Sequence, residues 1–146
     1  MSFTDFITDN GRKINRENFI HLIQVAQADG RIDNTELALL HRYGSRFSLT
    51  DHEIDKLIAS EQSHIYSPPY DLQERFNHLY DAVQLINIDS SISAEETKLF
   101  RKLAVAASFT EDVIPRLMEF ILDGIREGKD EEELFEKLRK AKYLRK

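Results

Sequence analysis

Residues 28–40 read Ala-Asp-Gly-Arg-Ile-Asp-Asn-Thr-Glu-Leu-Ala-Leu-Leu, and residues 88–100 read Ile-Asp-Ser-Ser-Ile-Ser-Ala-Glu-Glu-Thr-Lys-Leu-Phe. The two stretches align without a gap at one constant offset, the repeat offset, which pairs Asp29 with Asp89, Ile32 with Ile92, Glu36 with Glu96 and Leu39 with Leu99. The register continues beyond both stretches, and it places Ser48 on Ser108. We interpret this as an internal repeat in which each half turns a corner on an Asp and a Glu.

Apolar residues recur at helical spacing on both sides of each corner, and no stretch alternates over a useful length. The pattern predicts a single all-α domain over residues 1–146 with seven to eight helices. We place the two pseudo-symmetric halves at about residues 16–62 and 71–128, followed by a C-terminal helix over 130–142. Ser67-Pro68-Pro69 cannot continue a helix, and it marks the join between the halves.

The composition excludes several classes of function. The 146 residues suit one domain with a real core, and hydrophobic and charged contents of 41% and 32% are ordinary for a globular protein. There is no cysteine, which excludes disulfides, thiolate metal sites and a cysteine nucleophile. A net charge of −6 argues against nucleic acid as a partner. Neither a membrane-spanning apolar run nor a signal peptide is visible, so a cytoplasmic protein is expected.

Helix starts are predicted from pairs in which a capping residue precedes a Glu by three positions. The predicted pairs are Asp33 with Glu36, Thr50 with Glu53, Ser93 with Glu96, and Asp130 with Glu133. A further helix through Leu117 is expected to be capped by Thr110 or Asp112, with Pro115 near its start.

The corner motif invites comparison with a calcium loop, which has glycine at position six and a bidentate Glu at position twelve. Setting Gly30 at six places Glu36 at twelve. Positions one and three then fall on Val25 and Gln27, where the loop needs oxygen ligands. The second copy has Leu85 at position one, so neither copy is a complete EF-hand loop.

Two interpretations of the acidic corners remain. In the first, Asp33, Ser93 and the two Glu residues are structural helix caps. In the second, carboxylates from both corners meet on one surface and bind calcium, magnesium or manganese, which prefer oxygen ligands. The residues for this second interpretation are Asp29, Asp33, Glu36, Asp89, Glu95 and Glu96. Capping does not explain Asp29 and Asp89, because a carboxylate at a helix C-terminus costs about 0.3–1 kcal/mol.

The sequence resembles the TerB-like group. The resemblance rests on the run Val25-Ala26-Gln27-Ala28-Asp29-Gly30-Arg31-Ile32 and Glu36, and on the matching residues Asp89, Ile92, Glu95 and Glu96 of the second stretch. This group comprises the helical domain of tellurite-resistance proteins and is similar to the N-terminal region of DjlA-type co-chaperones. The resemblance covers about residues 19–120. It implies an all-helical pair of similar halves in a cytoplasmic bacterial protein linked to metal or oxidative stress. It also implies metal ligation by Asp29, Asp33, Glu36, Asp89 and Glu96. The second copy departs from the first, with Ser90 in place of Gly30 and Ser93 in place of Asp33.

Other residues carry weaker signals. The five histidines do not form an HxxxH or HExxH pair, and each is predicted to be a surface or partly buried helix residue. The basic stretch 139–146 is interpreted as a solvated helix end, with an anionic partner as the alternative. The loop 63–70 either packs its aromatic residues over the core or docks a partner.

These observations lead to a non-enzymatic TerB-like module that binds a divalent cation at the acidic corners. The alternative is a metal-free scaffold for an unknown protein partner, in which the corners are helix caps. An enzyme using a carboxylate pair is a third class, and no constellation of residues specifies one.

Overall fold

The structure, a computed structural model, describes residues 6–7, 13–14, 16–28, 30, 32–86 and 92–141. The elements in these residues are β1 (Phe6–Ile7), β2 (Lys13–Ile14), α1 (Arg16–Ala26), α2 (Asn34–Ser45), α3 (Asp51–Ser60), α4 (Leu72–Ile86), α5 (Ala94–Ala106), α6 (Ile114–Arg126) and α7 (Glu131–Ala141). The strands β1 and β2 form an antiparallel pair. Strands of two residues are too short for an alternating pattern to show in the sequence.

The all-α, single-domain prediction is confirmed by seven helices in the described part of the chain. Helices α1 to α3 lie within the range predicted for the first half, α4 to α6 lie within the second, and α7 matches the predicted C-terminal helix. The two-fold repeat itself stays an interpretation, although several features described below recur at the repeat offset.

Three helices begin with the predicted capping boxes. Asp33, Thr50 and Ser93 each accept the backbone N–H three residues on, and the Glu at that position accepts the cap's own N–H. Asp130 and Glu133 exchange the same pair of bonds before α7.

The predicted cap of α6 is wrong. This helix begins at Ile114, and its N-cap residue is Val113, which makes no side-chain capping bond. A turn over residues 111–113, which contains Asp112, lies between Thr110 and the start of the helix. Pro115 does lie in the first turn, where its missing N–H costs nothing.

The centre of the domain is formed by α1 and α4. Helix α1 contacts α2, α4 and α5, and α4 also contacts α5, α6 and α7. Phe19, Leu22 and Ile23 on α1 are fully buried, as are Phe76 and Leu79 on α4. Burial of each such side chain stabilises the fold by roughly 1.5–3 kcal/mol.

Helices α2 and α5 end in the same way. Ser48 and Ser108 both take positive φ, at 65° and 75°. The next residue in each case donates its N–H five residues back, Leu49 to Gly44 and Phe109 to Ala104, as in a Schellman motif. The two helix ends, related by the repeat offset, therefore share an unusual backbone conformation.

Candidate functional site: the paired acidic corners

The first corner, residues 28–36, leads from α1 into α2. Gly30 has a φ of 108°, a conformation that L side chains rarely adopt, and Asp33 then caps α2. Glu36 is only 3% exposed. Its Oε1 accepts the Asp33 N–H at 3.4 Å, and its Oε2 accepts from Lys102 Nζ on α5 at 2.6 Å. The motif glutamate therefore caps its own helix and also joins it to α5.

The second corner, residues 88–96, leads from α4 into α5. Glu96 is 4% exposed, and its Oε1 accepts the Ser93 N–H at 3.0 Å. Its Oε2 accepts from Tyr43 Oη at 2.6 Å and from an Arg42 guanidinium nitrogen at 3.2 Å. Both of these partners lie on α2.

The two contacts are reciprocal. Glu36 on α2 pairs with Lys102 on α5, and Glu96 on α5 pairs with Arg42 on α2. The repeat offset converts one pair into the other, because Arg42 corresponds to Lys102. This is the pattern that a two-fold axis between α2 and α5 would produce.

The environment of Tyr43 is set by the second pair. Burial raises the pKa of the Tyr43 phenol far above its usual value, and the hydrogen bond to Glu96 raises the pKa further. The phenol is therefore a fixed hydrogen-bond donor at any physiological pH. It holds one oxygen of Glu96 inside the protein.

The predicted cation ligands are placed as follows. Glu36 and Glu96 point at basic partners on the opposite helix rather than at a shared surface. Asp33 is exposed, and its Oδ1 accepts the Glu36 N–H at 2.7 Å. Asp29 and Asp89 lie outside the described residues. Within the described ranges, no group of three or more His, Asp or Glu side chains could hold a metal ion. The cation site stays a prediction that now depends on Asp29 and Asp89.

Sequence reasoning missed the partners of the two glutamates. Arg42 and Lys102 are both cationic and are related by the repeat offset, so the repeat alignment carried the signal. Tyr43 has no such signal, because the corresponding residue is Leu103.

An open groove lies beside the first corner, between the end of α1 and the exposed face of α5. Its volume is about 390 Å³. The described residues that line this α1–α5 groove are Val25, Ala28, Arg101, Lys102, Val105, Ala106 and Glu111. Val105 is 44% exposed.

A second polar cluster joins α1, α4 and the loop 63–70. The rings of His21 and His78 lie 4.3 Å apart, and Tyr66 Oη is 2.7 Å from His78 Nδ1. Burial lowers the pKa of His21 to about 4, and the neighbouring His78 contributes to that shift. Burial also lowers the pKa of His78. Both rings are therefore neutral near pH 7, and this pairing was not predicted from the sequence.

The side chains of the loop 63–70 differ in burial, which bears on the two roles considered for the loop, packing over the core and docking a partner. Tyr66 is buried and anchors the loop to α4 through His78. Ile65 and Tyr70 are almost completely exposed. The packing role is thus fulfilled by one aromatic residue, and the other two apolar side chains remain on the surface.

Comparison of the chain with protein-family models, with curated proteins and with solved structures finds no match. Among the described residues, no helix is both long enough and apolar enough to cross a membrane.

Proposed function

We propose that this chain is a non-catalytic, TerB-like helical scaffold that binds another protein, and that its acidic motifs are structural. The TerB-like part of the proposal rests on the signature residues at the first corner. The scaffold part is supported by the chemistry of the two corners.

The observation that carries the proposal is the use of both glutamates in contacts between α2 and α5. In each carboxylate, one oxygen accepts an N-cap amide and the other accepts from a basic side chain. A divalent cation would have to displace Lys102 or Arg42 from a buried carboxylate. Removing one partner of a buried ion pair costs about 3–5 kcal/mol, so the displaced ammonium or guanidinium would need a new partner.

The exposed apolar side chains favour a binding role for the surface. Ile65, Tyr70 and Val105 are the large hydrophobic residues that the described surface leaves exposed. Ile65 and Tyr70 lie in the loop between the halves, and Val105 lies in the α1–α5 groove. Exposed apolar side chains beside polar rims are typical of protein contact sites.

The proposal is tested by titrating calcium, magnesium and manganese into chelator-treated protein. Calorimetry measures the heat of binding, and thermal melts measure the change in melting temperature. A cation that binds only the folded state must raise the melting temperature as its concentration increases. We expect no saturable heat and no rise up to millimolar concentrations. Saturable binding that is lost in Asp29→Asn or Asp89→Asn would overturn the structural assignment of the corners.

Matched variants separate the two roles of the motif. Glu36→Gln and Glu96→Gln should lower the melting temperature, because each keeps the shape of the side chain but removes its charge from an ion pair. Glu53→Gln is the control, since Glu53 completes the same kind of capping box in α3 and the described residues show no ion pair to it. We expect a clearly smaller change for Glu53→Gln.

A further inference from the structure

The loop 63–70 is held to the domain through one buried side chain. Of residues 61–71, all of which the structure describes, only Tyr66 is buried. Ile65 and Tyr70 in the same loop are 84% and 101% exposed. Whether the loop lies against the domain therefore depends on the contacts of Tyr66.

Tyr66 contacts two histidines, one on each of the central helices. Its ring meets the ring of His21 on α1 edge-on, with the centroids 5.1 Å apart, and its hydroxyl oxygen lies 2.7 Å from Nδ1 of His78 on α4. The two imidazole rings lie 4.3 Å apart, with an angle of 35° between their planes. The three side chains form one group, the His–Tyr cluster, which joins the loop to both helices.

The surroundings of His21 oppose a positive charge on its ring. Its Nδ1 is buried and has no hydrogen-bond partner among the described residues. In the neutral ring one nitrogen carries no proton, whereas in the imidazolium both nitrogens are donors. A buried charged donor without an acceptor is costly, so a protonated His21 needs water at Nδ1. Because the Tyr66 ring packs against His21, water reaches the imidazole most directly when Tyr66 moves away.

The two histidines differ in how readily they take up a proton. Burial lowers the pKa of His78, but the carboxylates of Glu17 on α1 and Glu74 on α4 offset part of this effect. Burial lowers the pKa of His21 to about 4, and His78 contributes to that shift. We therefore expect His78 to be protonated first. Its Nδ1–H can then donate to the Tyr66 oxygen, so the loop stays in place until His21 is protonated as well.

The other ionisable groups near Tyr66 do not titrate in a way that imitates this behaviour. Burial raises the pKa of the Tyr66 phenol to about 12, and the charge of Arg75 on α4 opposes the shift. The phenol is therefore neutral throughout the acid range. His64 lies in the same loop, but it is mostly exposed and its Nδ1 is 3.1 Å from a carboxylate oxygen of Glu61. It serves as a control.

We propose that the His–Tyr cluster is an acid-sensitive switch that releases the loop 63–70 from α1 and α4 when both histidines are protonated. Two imidazolium rings 4.3 Å apart repel each other, and release of the loop allows water to reach both. Tyr66 then joins Ile65 and Tyr70 on the surface, so acid enlarges the apolar surface of the loop. The switch requires neither a partner nor a cation, and it therefore stands or falls separately from the proposed function.

The expected size of the switch follows from proton linkage. A histidine whose pKa is lower in the docked state than in the released state favours docking at neutral pH and release in acid. For His21, a pKa of about 4 in the docked state and near 6.5 after release lowers the docking equilibrium constant by up to roughly a hundredfold between pH 7 and pH 4. The contribution of His21 to docking is fully present above about pH 6.5 and is lost as the pH drops towards 4.

The test is an NMR titration of the ¹⁵N-labelled protein from pH 7 to pH 3.5, in which histidine ring signals and backbone amide signals are followed together. We expect the amides of residues 64–67 to move to disordered positions during the second ionisation of the cluster, while those of Leu22 and Leu79 keep their folded positions. Loop signals that keep their docked positions down to pH 3.5 would overturn the inference. Simultaneous loss of the loop and core signals would also overturn it, because acid would then act on the whole fold.

Matched variants assign the release to the cluster. His21→Phe keeps an aromatic ring that cannot be charged, so it should reduce the change between pH 7 and pH 4 to less than about tenfold. His64→Gln removes the titration of the exposed loop histidine and should leave the midpoint of release unchanged. A midpoint that His21→Phe does not move, or that His64→Gln moves equally, would overturn the inference.

A further variant keeps the test decisive if His21→Phe fails to fold. Tyr66→Phe retains the ring that packs against His21 and removes the hydroxyl that bonds to His78. We expect release of the loop at a higher pH than in the wild type, because docking starts from a weaker equilibrium. An unchanged midpoint in Tyr66→Phe would mean that the cluster does not hold the loop, and would overturn the inference.

Discussion

The two acidic corners end in the same kind of capping box but hold their glutamates differently. Glu36 contacts one side chain of the opposite helix, Lys102, whereas Glu96 contacts two, Tyr43 and Arg42. The side chains of Lys102 and Arg42 are 22% and 46% exposed, and Tyr43 is fully buried. Among the described residues, the first carboxylate thus pairs with one cation, whereas the second is anchored mainly by a hydroxyl inside the core.

The difference shows how a repeated motif can keep its geometry while its contacts change. The capping box fixes the position of each glutamate in the first turn of its helix, since both halves supply a cap and a Glu three residues later. The far end of the side chain then takes whatever donor the facing helix offers. At position 43 this is a phenol, and at the corresponding position 103 it is a leucine that cannot donate.

The largest expected effect comes from removing each glutamate. Glu96→Ala should lower the free energy of unfolding by about 3–5 kcal/mol, because it leaves the Tyr43 hydroxyl buried without its acceptor. Glu36→Ala should cost less, about 2–3 kcal/mol, because Lys102 can turn partly towards water. Denaturant unfolding measures both values. An equal or reversed order would contradict the comparison of the corners.

The next effect comes from removing the cations. Lys102→Met should cost about 3 kcal/mol, because it leaves the Glu36 carboxylate buried without a positive partner. Arg42→Met should cost only about 1 kcal/mol, because the Tyr43 hydroxyl still binds Glu96. The two variants keep a long aliphatic side chain, which makes them matched controls for each other. Similar losses would show that the hydroxyl does not stabilise the second corner.

Lowering the pH tests whether the acidic corners or the partly buried histidines limit the stability of the fold. The unfolded-state pKa of His21 is near 6.5, and its folded-state pKa is about 4. Between pH 4 and 6.5 the unfolded chain therefore binds more protons at His21 than the folded chain does. The contribution of His21 to stability is fully present above about pH 6.5 and is lost as the pH drops towards 4. The loss is at most about 3 kcal/mol, and partial exposure of the ring reduces it to about 2 kcal/mol.

His21→Phe removes this titration and keeps an aromatic ring beside His78. In this variant we expect a flatter stability profile between pH 6.5 and 4, with the difference between Glu36→Ala and Glu96→Ala unchanged. His41 acts in the opposite direction. Burial lowers the pKa of His41, but hydrogen bonds to Asp51 and Asp55 outweigh this and raise it overall. Its stabilisation is present at low pH and is lost as the pH rises through that raised value. A profile of wild type that stays flat below pH 6.5 would contradict the assignment to His21.

The sequence was sufficient for the features that depend on local chemistry. The helices follow from apolar spacing, and the boxes at Asp33, Thr50 and Ser93 follow from residue pairs three positions apart, so local patterns predict them. The prediction of the α6 cap was wrong because residues 111–113 form a turn, so that the helix does not begin directly after Thr110 or Asp112.

The contacts between the halves could not be predicted in the same way. Glu36 and Lys102 are far apart in the sequence, and nothing in either local pattern indicates that α2 faces α5. The same limit applies to His21 and His78, which local patterns describe only as partly buried helix residues. Only the repeat alignment, through Arg42 and Lys102, carried information about such a contact. The cation hypothesis came from treating the acidic residues as a surface without knowledge of these partners.

The smallest expected effect comes from the ends of α2 and α5, where the two halves share a backbone conformation. Ser48 and Ser108 have positive φ, which costs an L-residue roughly 1–2 kcal/mol and costs glycine almost nothing. Because glycine also gains freedom in the unfolded chain, Ser48→Gly and Ser108→Gly should each stabilise the protein by only about 0.5 kcal/mol. Ser45→Gly, at the last residue of α2, is the control and should destabilise by about 0.5–1 kcal/mol, because it removes the hydrogen bond from the Ser45 hydroxyl to the Arg42 carbonyl. Thermal and denaturant unfolding measure all three. A gain at only one of the two serines would mean that the helix ends differ in backbone strain. Equal gains there, together with unequal losses at Glu36 and Glu96, would place the difference between the halves in their side-chain partners, because the backbone at the ends of α2 and α5 would respond identically.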